Sequence, residues 1–355
     1  MTGEKFRRIG LSLLATTLAV TLAGQAQADA WRVQNRLLGE SKNADDPEYG
    51  EKSEDMSGIA CAPGALPRLC LAVDDETQGA QIVILQQVLL IAGRFLRLID
   101  DAHDEDALEL DAEGVAYADG FFYVIGSHGR ARHEKNAEEE ALSNAKAAAT
   151  RKLFRIRLSA DMVDLEPGVP KGEPAITPSA ALATVLEKDP VIAPFFDLPL
   201  KKHGLTLEGV AVRGDSLYAG LRAPVLEDGS ALIARVPLAT LFDGAPGAAT
   251  VFRLALGVDA HGDPRGIRDL TIAGDGFLLI AGPEQDPKKH GGGDFAIYAW
   301  NEGEAVKRLD LPSYGKQTKP EALLVLDQDG DTAHALLLSD GPKEGEPTPI
   351  DIPLK

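Results

Sequence analysis

Short apolar runs recur along this chain at a long beat, each opened by a polar residue and a small one. Leu110-Asp111-Ala112-Glu113-Gly114-Val115-Ala116 is followed, after a turn, by Phe121-Phe122-Tyr123-Val124-Ile125-Gly126-Ser127-His128. The phrase returns as Leu207-Glu208-Gly209-Val210-Ala211 with Leu217-Tyr218-Ala219-Gly220-Leu221-Arg222. Three further units align with these. They are Asp55-Met56-Ser57-Gly58-Ile59-Ala60 with Leu69 to Asp75, Gly266-Ile267-Arg268-Asp269-Leu270-Thr271 with Phe277 to Pro283, and Lys319-Pro320-Glu321-Ala322-Leu323-Leu324 with Ala335 to Asp340. Most units continue with two more strand-like runs, such as Ala231 to Pro237 and Thr250 to Leu256. Continuously apolar runs suit strands covered on both faces. Units of four short antiparallel strands, repeated, predict an all-β fold: a single β-propeller.

Aligned at Ser57, Glu113, Glu208, Arg268 and Glu321, the units lie 56, 95, 60 and 53 positions apart. Five blades are visible. The 95-residue interval predicts insertions in the second blade, at 131–152 and 160–194. Within it, charged and Ala-rich Glu134 to Lys152 reads as an exposed helix, Leu153 to Leu158 as a strand, Asp164 to Pro178 as a Pro/Gly loop and Ala180 to Lys188 as a short helix. A sixth, degenerate blade in this interval is the alternative. The last unit runs out of chain after Thr348 to Pro353, its third strand. Trp31 to Leu38 is expected to supply the fourth, so that the N-terminal strand closes the ring and removes open sheet edges.

The N-terminus reads differently. Lys5, Arg7 and Arg8 precede an apolar stretch, Ile9 to Gly24, and a small-x-small site, Ala26-Gln27-Ala28. This pattern predicts a cleaved signal peptide over 1–28, a propeller domain over 29–355 and a periplasmic or secreted product with no membrane span after cleavage. A retained anchor is the competing reading, and the shortness of the apolar run argues against it.

Charge narrows the partners. The chain has 55 acidic against 36 basic residues and a formal net charge of −19. That disfavours nucleic acid and anionic membrane surfaces and leaves room for divalent cations. Cys61 and Cys70 flank a Pro/Gly turn, and an exported chain meets an oxidising compartment, so a disulfide is expected there. A pair of free buried thiols is the alternative. Two cysteines without neighbouring ligands cannot fill a zinc shell.

Antiparallel pairing puts the start of each first strand beside the end of the second. Ser57, Glu113, Glu208, Arg268 and Glu321 start first strands; Asp74, Asp75, His128, Arg130, Arg222 and Asp340 end second strands. All should meet at one mouth of a central channel. Carboxylates crowded together need cations or a metal. Glu113, Glu208 and Glu321 are the candidate ligands of Ca²⁺ or another divalent ion. Ser57, Asp74, Asp75, Arg130, Arg222 and Asp340 are candidate ligand contacts, and Arg268 a holder of anions. His128, Arg268 and Asp269 are the candidate catalytic set, with His128 moving protons. The competing reading is structural: channel side chains that bind water and tie neighbouring blades together. Asp327-Gln328-Asp329-Gly330-Asp331 resembles a calcium loop, but Leu338 stands where an EF-hand needs Glu. His290-Gly291-Gly292-Gly293 lacks the G-x-S-x-G elbow an esterase would pair with it.

Taken in order, Ser-Gly-Ile-Ala from Ser57, Glu-Gly-Val-Ala from Glu113 with Ile-Gly-Ser-His to His128, Leu-Glu-Gly-Val-Ala from Leu207 and Gly-Ile-Arg-Asp-Leu from Gly266 resemble the DUF3616 family of uncharacterised proteins. The resemblance covers about residues 55 to 341. More distantly the chain is similar to phytase-like, esterase-like and gluconolactonase-type propellers. That resemblance implies channel carboxylates on Ca²⁺ or another divalent ion, here Glu113, Glu208 and Glu321. Ser57 and Arg268 depart from an acidic ring and suggest a side that accepts anions. Two functions follow. One is an exported propeller binding a small anionic ligand at the channel mouth, extending to a metal-dependent hydrolase of ester, lactone or phosphoester substrates. The other is a non-catalytic binding or protein-interaction scaffold. No nucleotide or organic cofactor is indicated.

Overall fold

The computed structural model describes residues 30–40, 51–130, 137–159, 172–285, 294–309 and 319–354. The expected signal peptide and the His290 segment lie outside them. Five antiparallel sheets form a five-bladed propeller. Blade 1 is Met56–Cys61, Arg68–Asp74, Gly79–Gln86 and Leu89–Arg97. Blade 2 is Ala112–Ala118, Phe121–Gly126, Leu153–Arg157 and Ala175–Ser179. Blade 3 is Thr206–Arg213, Ser216–Ala223, Ser230–Pro237 and Thr250–Ala255. Blade 4 is Arg265–Ala273, Gly276–Pro283, Ala296–Trp300 and Lys307–Arg308. Blade 5 has three strands, Lys319–Asp329, Thr332–Asp340 and Thr348–Pro353.

Local chemistry sets the inner hairpins. Blades 2 to 5 turn on two residues, Asp119-Gly120, Gly214-Asp215, Gly274-Asp275 and Gly330-Asp331, between paired strand ends. Asp119 and Gly120 both have positive φ, 50° and 83°, as a twist-matched hairpin turn requires. Blade 1 has a longer loop instead. There Cys61 and Cys70 stand directly opposite and are joined by the expected disulfide.

The core is five wedges rather than one centre. A separate buried apolar cluster fills each gap between adjacent blades: Val73 with Phe122, Ile125 with Leu217, Tyr218 with Phe277, Ile280 with Leu337, and Cys70 with Leu336. The second strands, such as Phe121–Gly126 and Gly276–Pro283, feed two wedges each, which is why they run apolar on both faces. The inner strands touch in cyclic order, the fifth against the first.

Three expectations need correction. The long interval holds no sixth blade among the described residues. It holds helix α1 (Ala137–Thr150) and helix α2 (Ala181–Lys188). Second, the fourth strand of blade 2, Ala175–Ser179, lies inside the segment 160–194 read as an insertion. Pro178 disguised it, since proline is tolerated only on such an edge strand. Third, the N-terminal strand does not complete blade 5. Arg32–Gln34 pairs in parallel with Leu89–Arg97, as a fifth strand on blade 1. Pro349 and Pro353, four residues apart on the last strand, bring no N–H, so that edge is a poor template. Closure comes instead from the wedge between blades 1 and 5 and from Glu344. Its carboxylate accepts the Leu37 N–H at 3.3 Å and pairs with Lys52 Nζ at 2.6 Å, while its own N–H donates to Ser53 O at 2.6 Å. Among the described residues, no helix is long and apolar enough to cross a membrane.

Candidate functional site

The five aligned polar residues share a backbone feature that alternation does not reveal. On every inner strand the pairing register slips at the same place: Met56/Gly58, Ala112/Gly114, Leu207/Gly209, Ile267/Asp269 and Pro320/Ala322. The residue left out of the ladder is Ser57, Glu113, Glu208, Arg268 or Glu321. Each is the extra residue of a β-bulge, which re-aims a side chain out of the strand's alternation. All five are buried. In blades 1 to 3 the position after the bulge is glycine, and the next blade leaves room for nothing larger. A Cβ on Gly58 would stand 2.8 Å from Gly114 Cα, and one on Gly209 would stand 2.9 Å from Leu270 Cβ.

The ring splits into two halves. In one, Arg268 of blade 4 bridges its neighbours: its Nε lies 2.8 Å from Glu208 Oε2, and its other end pairs with Glu321 of blade 5. Arg222 Nη1 holds Glu208 Oε1 at 2.8 Å, and Arg222 Nε donates to Glu284 O at 2.9 Å. Burial works against the charge on Arg268, but Glu208, Glu321 and Glu113 outweigh it and raise its pKa. Burial pushes Glu321 up to about 7 against the pull of Arg268.

The other half has no such bridge. Asp75, Asp111 and Glu113 bring one carboxylate oxygen each to within 4.8 Å of one another. Glu113 is buried and its two neighbours half-buried. Asp75 Oδ1 is buried with no hydrogen-bond partner. Burial, then Glu208 and Asp111, hold the Glu113 carboxyl well above its usual range. Burial, then Asp111 and Asp74, do the same to Asp75. Burial lifts Asp111 to about 6, although the Ser127 hydroxyl donates to its carboxylate. The triad could hold a metal ion.

This triad faces a cavity of about 430 Å³ whose wall also carries Arg130, Lys146 and Arg222. Lys146 and Thr150 come from α1, so the insertion overhangs the mouth. At its other end the channel is a different place. A cavity of about 330 Å³ there is lined by Ile59, Val115, Val210, Ile272 and Leu324, one from each inner strand.

The remaining sequence candidates fall elsewhere. Glu208 and Glu321 are engaged with arginines, so they do not join Glu113 as the expected trio. His128 is fully buried, does not line the cavity and has left-handed backbone, φ 58°. Its Nδ1 lies 2.8 Å from Gly126 O, its Nε2 has no partner, and burial lowers its pKa to about 4. It is not positioned to move protons at the carboxylates. Asp269 accepts the Leu270 N–H at 2.7 Å and the Leu323 N–H at 2.6 Å, tying blade 4 to blade 5. That is the structural role the sequence left open for such residues. Ser57 Oγ donates to Asp55 O at 3.1 Å, Asp340 pairs with Lys319, and Asp74 accepts the Glu76 N–H at 3.1 Å; none of the three lines the cavity. Arg130 does, with Nη2 donating to Asn144 Oδ1 at 2.9 Å and Nη1 3.8 Å from Asp197. Asp111 and Lys146 were missed. Asp111 stands inside the repeated phrase, two residues before Glu113, where the other units carry Asp55, Thr206, Gly266 and Lys319.

No curated protein matches the sequence. Among solved structures, the chain is similar to an exo-β-1,3-galactanase from Phanerochaete chrysosporium, at 9% identity and TM-score 0.44 over 91% of this chain and 65% of that one. It is similar to an exo-β-1,3-galactanase from Clostridium thermocellum at 10% identity and TM-score 0.44, over 91% and 62%. A GH43 endo-arabinanase from Bacillus licheniformis gives 7% identity and TM-score 0.36, over 89% and 96%. The chain spans just under two thirds of the length of the two galactanases. The model of a family described as a protein of unknown function, DUF3616, matches residues 65–348, and the chain belongs to that family.

Proposed function

We propose that this is an exported propeller, periplasmic or secreted, whose channel mouth holds a divalent cation, Ca²⁺ first, and binds a small anionic ligand on it. The carrying observation is the convergence of Asp75, Asp111 and Glu113 on a cavity, with one buried carboxylate oxygen unpartnered, beside glutamates that arginines already neutralise. The donor set is all oxygen, which suits a hard ion. Oxygens around one Ca²⁺ sit at about 2.3–2.6 Å from it, so two of them lie at most about 5 Å apart. Three oxygens around one ion lie at most about 4.5 Å from one another, and a set within 4.8 Å is close to that spread.

Three carboxylates do not complete a Ca²⁺ shell of about six to eight oxygens. The remaining positions would face the cavity, where ligand oxygen and water can enter. That opening favours, as a second reading, hydrolysis of an ester, lactone or phosphoester, in which a bound cation would supply Lewis acidity. Elemental analysis of the purified protein and thermal melts with Ca²⁺ or EDTA test the cation. At a hundredfold excess over Kd, Ca²⁺ should add about 2.7 kcal/mol of stability. Asp75→Asn should remove most of that gain. No bound divalent ion and no response to either reagent would sink the reading.

A further inference from the structure

We propose that Lys146 and Arg130 form an oxyanion subsite in this mouth and that its ligand is a phosphate monoester; this rests on the cation reading above. Lys146 is half-buried on α1, in the wall of the same cavity as the triad. Among the described residues it makes no hydrogen bond and no ion pair within 4.0 Å. It acts on Asp111 at a distance instead of closing on it. A half-buried ammonium in sight of carboxylates, yet paired with none, leaves cavity between the charges for something else to fill. Arg130 stands in the same wall and is already oriented, by Asn144 of the same helix and by Asp197. The insertion thus delivers Lys146, and the segment that leads into it delivers Arg130, to the acidic side chains of blades 1 and 2.

The number of positive centres selects the ligand. With a cation on the triad, three positive groups from different elements share one cavity. A carboxylate ligand has two oxygens to divide among them. A phosphate monoester has three terminal oxygens and two charges, and an arginine fork matches two of those oxygens at once. A volume of about 430 Å³ lies within the range of small-molecule sites.

Calorimetric titration of the full chain tests this, with Ca²⁺ alone, then methyl phosphate or acetate over bound Ca²⁺. Methyl phosphate should bind and acetate should bind far less tightly. Lys146→Met should weaken methyl phosphate about tenfold or more, the loss expected for one charged hydrogen bond. It should leave Ca²⁺ affinity unchanged or slightly higher, because a nearby positive charge is gone. Lys146→Arg should restore much of the phosphate affinity. Arg94→Gln, which breaks a pair between the outer strand of blade 1 and Glu173, neither of them in the cavity wall, should change nothing. Ca²⁺ binding without methyl phosphate binding, equal affinity for acetate, or a Lys146→Met protein that binds methyl phosphate like the wild type would each overturn the subsite and spare the cation. Failure of the wild type to bind Ca²⁺ would overturn the cation reading itself.

Discussion

Glu113 and Glu208 occupy the same position of the same repeated phrase, yet their surroundings make them opposites. Glu208 lies between Arg222 and Arg268, all three buried. Removing its charge takes a buried carboxylate partner from two guanidiniums at once. Glu208→Gln should therefore destabilise by about 3–5 kcal/mol, with or without Ca²⁺, as breaking one partner of a buried pair does. Glu113 has carboxylates as its neighbours, and its ionisation is resisted by burial and by Glu208. Glu113→Gln removes a repulsion, so metal-free stability should hold or rise while the Ca²⁺ response disappears. Denaturant titrations of both variants, with Ca²⁺ and with EDTA, separate the two. Equal behaviour would refute the division of the ring. The sequence made the ring legible because each polar residue sits at the same point of the phrase. It could not divide the ring, because that depends on which blade's arginine reaches which glutamate across the channel.

At the level of strands, the inner hairpins were readable and the bulges were not. A two-residue Asp/Gly turn is a local signal, and four blades carry one. A bulge is not local here. In blades 1 to 3 it coincides with an inner strand pressed so closely on the next blade that a methyl group has no room. Gly209→Ala would set its Cβ 2.9 Å from both the nitrogen and the Cβ of Leu270, in backbone that cannot swing aside. The expected cost is about 1–3 kcal/mol, from overpacking. Gly93→Ala, whose Cβ would meet Ile82 O at 3.3 Å, should cost less. Chemical denaturation of the two variants checks the order, and a harmless Gly209→Ala would mean that close approach does not hold the bulge. The same contrast of local and non-local explains the strands that were misplaced. Ala175–Ser179 reads as a loop because of its proline, and Arg32–Gln34 was assigned to the blade that lacked a strand. The structure adds it to a blade that already had four, where a complete row of N–H groups was on offer.

For the whole molecule, the spacing of the phrase gives the blade number, since every blade needs one inner strand. The titration behaviour requires the assembled ring. Burial raises Asp74 and Asp269 to about 7 and Asp111 to about 6, from an ordinary value of 3.8. Asp75 and Glu113 are displaced in the same direction. Between about pH 4 and pH 7 the folded protein thus keeps protons that the unfolded chain has released. Stability then falls as pH rises through this window. His128 works the other way. Its folded value is about 4 against 6.5, so the unfolded chain holds the extra proton between those limits and stability there rises with pH. Five carboxyls outweigh one histidine, and the mounting self-repulsion of a chain at −19 adds to them. Metal-free protein should melt higher at pH 5 than at pH 8. Ca²⁺ competes with protons for the triad, so its stabilisation should grow across the same range. It should remove the triad's share of the decline and leave the share of Asp74 and Asp269, which do not line the cavity. Melts across this range, with saturating Ca²⁺ and with EDTA, measure both slopes. A metal-free protein that gains stability from pH 5 to pH 8 would show that these carboxyls are ionised in the fold, and the charge balance of the mouth would have to be drawn differently.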